Sequence, residues 1–267
     1  SWDEKEGFFY DTLILPDGKK IPIKVRSISG LLSLAAVLNI RKECLNKLPR
    51  FKASMDWYRK YRVETEKYQV VEEYHPDKDV LLSLVPKKRL DILIHSILDE
   101  SEFLGDYGIR SLSKAHETKY QIEINGSIYG IDYESAESST DLFGGNSNWR
   151  GPIWMPMNYL FISSFKEYHN YFGDNLKFSY PSGSDNQLNL KEIGFEISKR
   201  LIGIFRKDEN GNRPVNELDK DKYTDEYFED LILFYEYFDG NNGRGVGASH
   251  QTGWTALVAN LIEEINR

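Results

Sequence analysis

Cysteine is almost missing: Cys44 stands alone in 267 residues. That excludes an intramolecular disulfide and a thiolate metal cluster, and it favours a reducing compartment, the cytoplasm. Cys44 lies in RKECLNKL, a predicted helix, where a free thiol most simply packs. An excess of positive charge is missing too. Lys and Arg number 34 against 42 Asp and Glu, a net charge of −8, so no basic stripe offers itself to a nucleic acid. No apolar run approaches the ~20 residues that cross a bilayer as a helix, so no membrane partner is expected. No signal peptide is read at the start. The chain begins at Ser1 inside the patterned stretch SWDEKEGFFYD, which is read as a cut end of a longer chain.

Aromatic residues are plentiful, with 17 Tyr, 14 Phe and 5 Trp, which suits flat-walled pockets as well as core packing. At 40% hydrophobic and 28% charged, the chain has the composition of one large or two small globular domains. Pro-Asp-Gly in ILPDGKKIPIKV predicts a turn between two extended arms. SISGLLSLAAVLNI carries Leu31, Leu32, Leu34, Ala35 and Leu38 at helical spacing. FKASMDWYRKY predicts a helix with Phe51, Met55 and Tyr58 on one side. VETEKYQVVEEYHPDKDV is polar and is expected to be a surface loop. KKRLDILIHSILDE predicts a helix burying Leu90, Leu93, Ile94 and Ile97, with His95 near that face as a packing or capping residue.

YQIEINGSIYGIDY has a different period. Ile122 and Ile124 alternate with polar residues, and Asn125-Gly126 is a favoured hairpin dipeptide. A glycine-rich loop, LFGGNSN, then leads into Trp149-Arg150-Gly151-Pro152 and a helix from about Met157. Further helices are expected in LNLKEIGFEISKRLIGIF, YFEDLILFYEYF and TGWTALVANLIEEI. Helices joined by long decorated loops suggest helical hairpins stacked around a centre.

GRGVGASHQTGW, residues 243–254, raises the possibility of a phosphate cradle, since Gly243, Gly245 and Ala248 fit a loose G-x-G-x-x-A pattern. A dinucleotide site requires a second strand with an acidic residue about 20 positions on, and a single predicted helix fills that space. The Lys-Ser/Thr of a Walker loop is absent as well. DENGNR fails as a calcium loop because Arg213 stands where glycine is required. What remains is a sharp bend beside His250, Gln251 and Trp254. Upstream, Glu236 sits among aromatics at a predicted helix end, either as a solvated helix residue or as a carboxylate tuned by its surroundings.

GGNSNWRGPIWMPMNYL, LILFYEYFDGNNGRGVGASHQTGWTALVANLI and WDEKEGFFYDTLILPDGKKIPIKVRS together resemble the C-terminal part of glycoside hydrolase family 63. GIRSLSKAHE, residues 108–117, matches a fourth stretch of that group. The likeness is strongest to uncharacterised microbial and fungal members with a mannosylglycerate-hydrolase-like catalytic domain. It implies a mainly α fold, part of an (α/α)6 toroid of the six-hairpin glycosidase type, here with a β-hairpin insertion. Residues 1–267 would form the C-terminal portion of one such domain, lacking the N-terminal part of the toroid. The remainder of the parent chain would then be a partner, covering apolar helix faces.

The resemblance implies inverting hydrolysis of an α-glycosidic bond in an α-glucoside or related small sugar, without metal or cofactor. It places the general base, which takes a proton from the attacking water, at Glu236. The general acid is an aspartate of an upstream motif that has no copy here, so this chain alone is expected to be inactive. Trp149 and Trp154 would be sugar platforms or core packing. Arg150 would hold sugar hydroxyls, orient Glu236, or form a structural salt bridge. Asn148 and Asn158 would bind substrate or loop backbone, and Gly151 belongs to the same motif. His250, Gln251 and Trp254 would contact sugar or brace the loop. Two rivals remain: a trehalase- or glucoamylase-type toroid hydrolase, and a non-catalytic carbohydrate-binding or scaffold toroid.

Overall fold

A computed structural model describes residues 1–64, 79–142 and 148–266 of the chain. Most of the stretch expected to be a polar surface loop, 65–78, and the glycine-rich stretch 143–147 lie outside the described residues. Short antiparallel pairs open the chain. β1 (Trp2–Asp3) pairs with β2 (Phe8–Phe9), and β3 (Asp11–Ile14) with β4 (Lys20–Ile23) across the Pro-Asp-Gly turn. β5 (Val37–Ile40) pairs with β6 (Val80–Ser83), and α1 (Lys42–Asn46) and α2 (Pro49–Glu64) lie between them in sequence. α3 (Lys87–Ile97) precedes β7 (Leu104–Gly105) paired with β8 (Gly108–Ile109), and then the hairpin β9 (Tyr120–Ile124) and β10 (Ser127–Ile131).

α4 (Met155–Phe172) and α5 (Leu190–Gly203) flank the pair β11 (Lys177–Ser179) and β12 (Gln187–Asn189). The last elements are α6 (Lys220–Tyr223), the pair β13 (Tyr237–Phe238) and β14 (Gly245–Val246), α7 (Thr252–Thr255) and α8 (Leu257–Ile265). In place of a single hairpin insertion, the described residues hold seven two-stranded sheets.

The core follows the helical period where it was predicted. Leu90, Leu93, Ile94 and Ile97 of α3 are fully buried, spaced to share one helix face. α4 buries Phe161, Ile162, Phe165 and Tyr168, and α5 buries Leu190, Ile193, Ile197 and Leu201. These helices pack on each other, and α5 also packs on α8, whose Val258 and Leu261 complete the layer. Asn189 starts α5 with a reciprocal capping box. Its side chain accepts from the Glu192 N–H at 3.0 Å, and the Glu192 carboxylate accepts from the Asn189 N–H at 2.8 Å, a device worth about 1 kcal/mol. Asn125-Gly126 turns the β9–β10 hairpin with both residues at positive φ, as the dipeptide predicts.

Several expectations are corrected. SISGLLSLAAVLNI forms two short 3-10 turns, Ile28–Gly30 and Leu32–Ala35, and then strand β5. Pairing of Val37–Ile40 with Val80–Ser83 overrides the local helical spacing. A Cβ on Gly30 would stand 2.3 Å from the Phe8 ring, so the first turn is moulded to β2. Among the described side chains of α2 only Met55 is buried, while Phe51 and Tyr58 are exposed. Cys44 lies on a helix but is exposed, because Leu45 is the residue α1 turns inward. His95 is exposed as well, since the buried face of α3 runs through its neighbours Ile94 and Ile97. The predicted helix YFEDLILFYEYF is not one. After α6 the chain runs through turns into an extended segment, because its aromatics are recruited into strand pairing.

Candidate active site

Three distant segments meet in a narrow patch of backbone pairing. Ile153 bridges Arg110 on one side and Phe238 on the other, and Phe238 pairs with Gly245 of β14. Ile153 and Phe238 exchange both N–H···O=C bonds, at 2.8 and 2.9 Å. The Trp149–Trp154 motif, the 108–113 stretch and the glycine-rich hairpin are thereby fixed side by side. A fourth segment joins through a parallel bridge of Phe234 with His250 and the Gln251 N–H donating to Phe234 O at 2.8 Å.

Asn158, fully buried on α4, locks the arrangement. Its Oδ1 accepts from the Ile109 N–H at 2.7 Å, and its Nδ2 donates to the Ile109 and Trp154 carbonyls, each at 3.0 Å. This is the loop-backbone alternative of the two roles open to it.

Aromatic rings line the patch. Trp149 stacks on Trp154 with centroids 4.0 Å apart and planes 2° apart. Trp154 stacks in turn on Tyr237 at 4.8 Å and meets Trp254 edge-on at 5.9 Å. Trp154 is the buried middle plate, held by its indole N–H donating to Asn148 O at 3.0 Å. Trp149, half-buried, is the outer plate. Burial also pushes the Tyr237 hydroxyl above its ordinary pKa.

Glu236 is half-buried immediately before β13, and its Oε2 accepts from the Ala248 N–H at 3.3 Å. The turn closes tightly on it: a Cβ on Gly247, at φ +74°, would lie 2.7 Å from that same Oε2 and 2.8 Å from the Tyr237 ring. Gly245 similarly admits the Tyr235 ring, 2.3 Å from where a Cβ would be. The glycines of GRGVGASHQTGW are thus places where side chains and backbone need room, which the turn supplies by omitting Cβ.

The polar residues of the Trp-Arg-Gly-Pro motif turn away from Glu236. Arg150 is 2% exposed, and its Nη2 pairs with Asp132 Oδ1 and with Glu134 Oε1 at 3.1 Å. Its Nε and Nη1 donate to the Asp132 carbonyl and the Thr140 hydroxyl. Of its open roles, the geometry is that of the structural ion pair. Asn148 Nδ2 donates to the Glu134 and Ala136 carbonyls, while its Oδ1 accepts from the Arg150 N–H. Gly151 lets the same strap approach, for a Cβ there would stand 2.5 Å from Glu134 O.

Sequence reasoning missed this strap, residues 132–140, and its second clamp. Arg244 forks onto Glu137 at 3.0 and 2.6 Å, which holds the Glu137 carboxyl below its usual range. Tyr133 donates to Asn241 at 3.1 Å, and burial pushes its hydroxyl up to about 12. Gly240 packs on the Gly151 carbonyl and the Tyr133 hydroxyl. The acidic run in GIDYESAES, facing Arg150 and Arg244, was the available signal.

His250 is exposed, and Gln251 and Trp254 are half-buried at the start of α7. The Trp254 indole nitrogen is buried without a hydrogen-bond partner among the described residues. No group of three or more His, Cys, Asp or Glu among the described residues is placed to hold a metal ion.

The model of the glycosyl hydrolase family 63 C-terminal domain matches residues 58–190. An uncharacterized protein of Saccharomyces cerevisiae is 41% identical over 99% of this chain and 25% of its own length. The mannosyl-oligosaccharide glucosidase of the same yeast is 28% identical over 68% of this chain and 16% of its length. The chain therefore spans about a quarter or less of these relatives. Among solved structures, a mannosylglycerate hydrolase of Thermus thermophilus in complex with glucose covers 98% of the chain with 36% of its own, at 14% identity and a TM-score of 0.43.

Proposed function

The chain belongs to glycosyl hydrolase family 63, and from that premise we propose that it is the C-terminal portion of an inverting α-glycosidase domain with Glu236 as general base. In this reading the helices and hairpins form part of an (α/α)6 toroid. The substrate is an α-linked glucoside or a related small sugar. The observation that carries the assignment is the setting of Glu236. Its carboxylate is held by the Ala248 N–H against Gly247, next in sequence to Tyr237 of the Trp149–Trp154–Tyr237 stack.

A base that activates water must be ionised and must reach the sugar from the face opposite the leaving group. The Ala248 N–H fixes the direction of the carboxylate, and half-burial leaves it within reach of water. Trp149, as the outer plate, presents an indole for the C–H face of a sugar, while Trp154 supports it from behind. His250 and Gln251 supply hydrogen-bonding edges beside it, and Trp254 braces the loop edge-on against Trp154. Arg150, Asn148 and Gly151 act as positioning residues that hold the strap and the Trp149 backbone. The general acid is assigned to an aspartate of a segment preceding this one in a longer protein.

The test is Glu236→Gln in the longest available form of the protein, assayed on a panel of α-glucosides, α-mannosides and trehalose. Hydrolysis should fall by about 10²–10⁴-fold with little change in KM, as loss of general-base catalysis requires. Retention of most activity would remove Glu236 from the role.

A further inference from the structure

The hairpin β9–β10 is a sheet of two strands, so each strand has one edge without a neighbouring strand among the described residues. Its two-residue turn, Asn125-Gly126, makes the flanking pair Ile124–Ser127 a hydrogen-bonded one, and the pattern alternates from there. Ile128 and Gly130 therefore turn their N–H and C=O groups outward from β10. No main-chain hydrogen bond from another described segment reaches them. Adjoining this edge is a cavity of about 200 Å³ whose lining, apolar throughout the described residues, includes Ile23, Val25, Ile122, Ile124, Tyr129 and Gly130. Its floor is a satellite core, since Val25 and Ile131 are buried there against Leu112.

A strand edge left in water is normally guarded by a charge, a proline or a bulge, because its open N–H and C=O groups recruit other chains. β9 carries such a charge in Glu123. β10 reads Ser-Ile-Tyr-Gly-Ile, with neither charge nor proline, and its register with β9 runs one to one without a bulge. Ile128 is 70% exposed and Tyr129 51%. Left bare between encounters with a transient partner, such an edge would be a standing aggregation hazard. The cover is therefore permanent, and a segment of the same polypeptide supplies it at high effective concentration. The yeast relative of which this chain spans 25% has ample further length for such a segment.

We propose that an extended, uncharged segment of the longer protein adds to β10 as a third strand. It pairs with the main chain of Ile128 and Gly130 and places an aliphatic or aromatic side chain in the adjoining cavity. Strand addition draws affinity from main-chain bonds and selectivity from side-chain pockets of this kind. The inference takes from the proposed function only that residues 1–267 belong to a longer protein; it uses neither Glu236 nor the sugar.

The test is amide hydrogen exchange, read residue by residue in the longest available form of the protein. The Ile128 and Gly130 amides should exchange at least about 100-fold more slowly than in an unfolded chain. Ile128→Pro removes an outward donor and installs the missing guard, whereas Ile128→Thr keeps the donor. Proline should return the Gly130 amide to near the unfolded-chain rate, and threonine should leave it slow. The Ile122 and Tyr129 amides, which bond across the hairpin, should stay slow in all three proteins. If proline costs that internal protection, the wild-type rates alone decide. Fast exchange of Ile128 and Gly130 in the wild type overturns the proposal, as does Gly130 protection undiminished by Ile128→Pro in an intact hairpin. Protection that rises with protein concentration also overturns it, by assigning the edge to a second copy. Failure of the glycosidase reading shows separately, as absent hydrolysis on the glycoside panel.

Discussion

Replacing Gly247 with Ala tests whether the turn is built around Glu236. Two costs combine at this position, and a second glycine separates them. Gly247 has φ +74° and Gly18 has φ +82°, so Ala is equally misplaced at either. That backbone term costs about 1–2 kcal/mol. At Gly18 nothing lies within 4 Å of the added Cβ, so Gly18→Ala should show that term alone. At Gly247 the new methyl would stand 2.7 Å from Glu236 Oε2, 2.8 Å from the Tyr237 ring and 3.0 Å from Glu236 Cβ. Contacts this short must be relieved by moving the carboxylate, and overpacking of this kind adds about 1–3 kcal/mol. Urea unfolding should therefore show Gly247→Ala losing about 2–5 kcal/mol against about 1–2 kcal/mol for Gly18→Ala.

A double-mutant cycle with Glu236→Ala makes the argument specific. Truncating the carboxylate gives the methyl part of the room it needs, so the double mutant should lose less than the sum of the singles. The expected coupling is about 0.5–3 kcal/mol. In turnover, a carboxylate pushed aside by about 1 Å should lose on the order of 10² in kcat. Additivity within about 0.5 kcal/mol, or a Gly247→Ala protein no less stable than Gly18→Ala, would refute the view that the loop is shaped by Glu236.

Two further outcomes follow from buried polar contacts away from the turn. His116 Nε2 accepts from the Arg26 N–H at 2.9 Å, and burial together with the nearby Arg26 charge holds its pKa below the ordinary value. Between that lowered value and the unfolded pKa of about 6.5, the unfolded chain binds more protons. Stability from this contact is thus complete above about pH 6.5 and declines as pH falls toward the folded pKa. The urea midpoint of His116→Gln should be flatter across that window, and an unchanged slope would exclude His116 as its source. For Arg150→Leu, loss of the guanidinium leaves Asp132 facing Glu134 with Lys119, 3.5 Å from Asp132, as the remaining cation. The cost should be about 3 kcal/mol, at the low end for a broken buried pair because Asp132 keeps a third of its side-chain surface exposed. Arg150→Lys should recover only part of it, since an ammonium cannot serve both carboxylates and the Thr140 hydroxyl as the fork does. A Tm of Arg150→Leu equal to wild type would contradict the clamp.

The parts legible in the sequence are those whose determinants are local. The apolar faces of α3, α4 and α5 repeat at helical spacing, and Asn125-Gly126 carries its own turn chemistry. Segments governed by distant partners were misread. In LILFYEYF, the aromatics at helical spacing suggested a helix, yet Phe234 bridges His250 and Phe238 pairs with Ile153 and Gly245. Nothing in the local spacing records those partners. The same holds for Val37–Ile40, whose register is set by a strand beginning at Val80. The Trp149–Trp154 motif, Glu236 and the 250–254 stretch lie near one another in the fold, but the division of labour among their residues was not readable. Arg150 and Trp149 are adjacent in sequence and face different tasks, because only the fold reveals Asp132 and Glu134 beneath the arginine.

That division of labour accounts for how a half-buried carboxylate can be held still on a loop. Glu236 lies in an irregular segment, where a side chain would ordinarily wander. Its position is set instead from three sides: the Ile153–Phe238 pairing below, the Gly247 turn beside it, and the 132–140 strap beyond. The strap is tied at one end by Arg150 and Asn148 from the tryptophan motif, and at the other by Arg244 from the hairpin. Both clamps use forked guanidinium contacts, which fix direction as well as distance. Arg150 and Arg244 thus stiffen the site from outside the chemistry. The faces left open beside Glu236 are those of the half-buried Trp149 and the edge of α7.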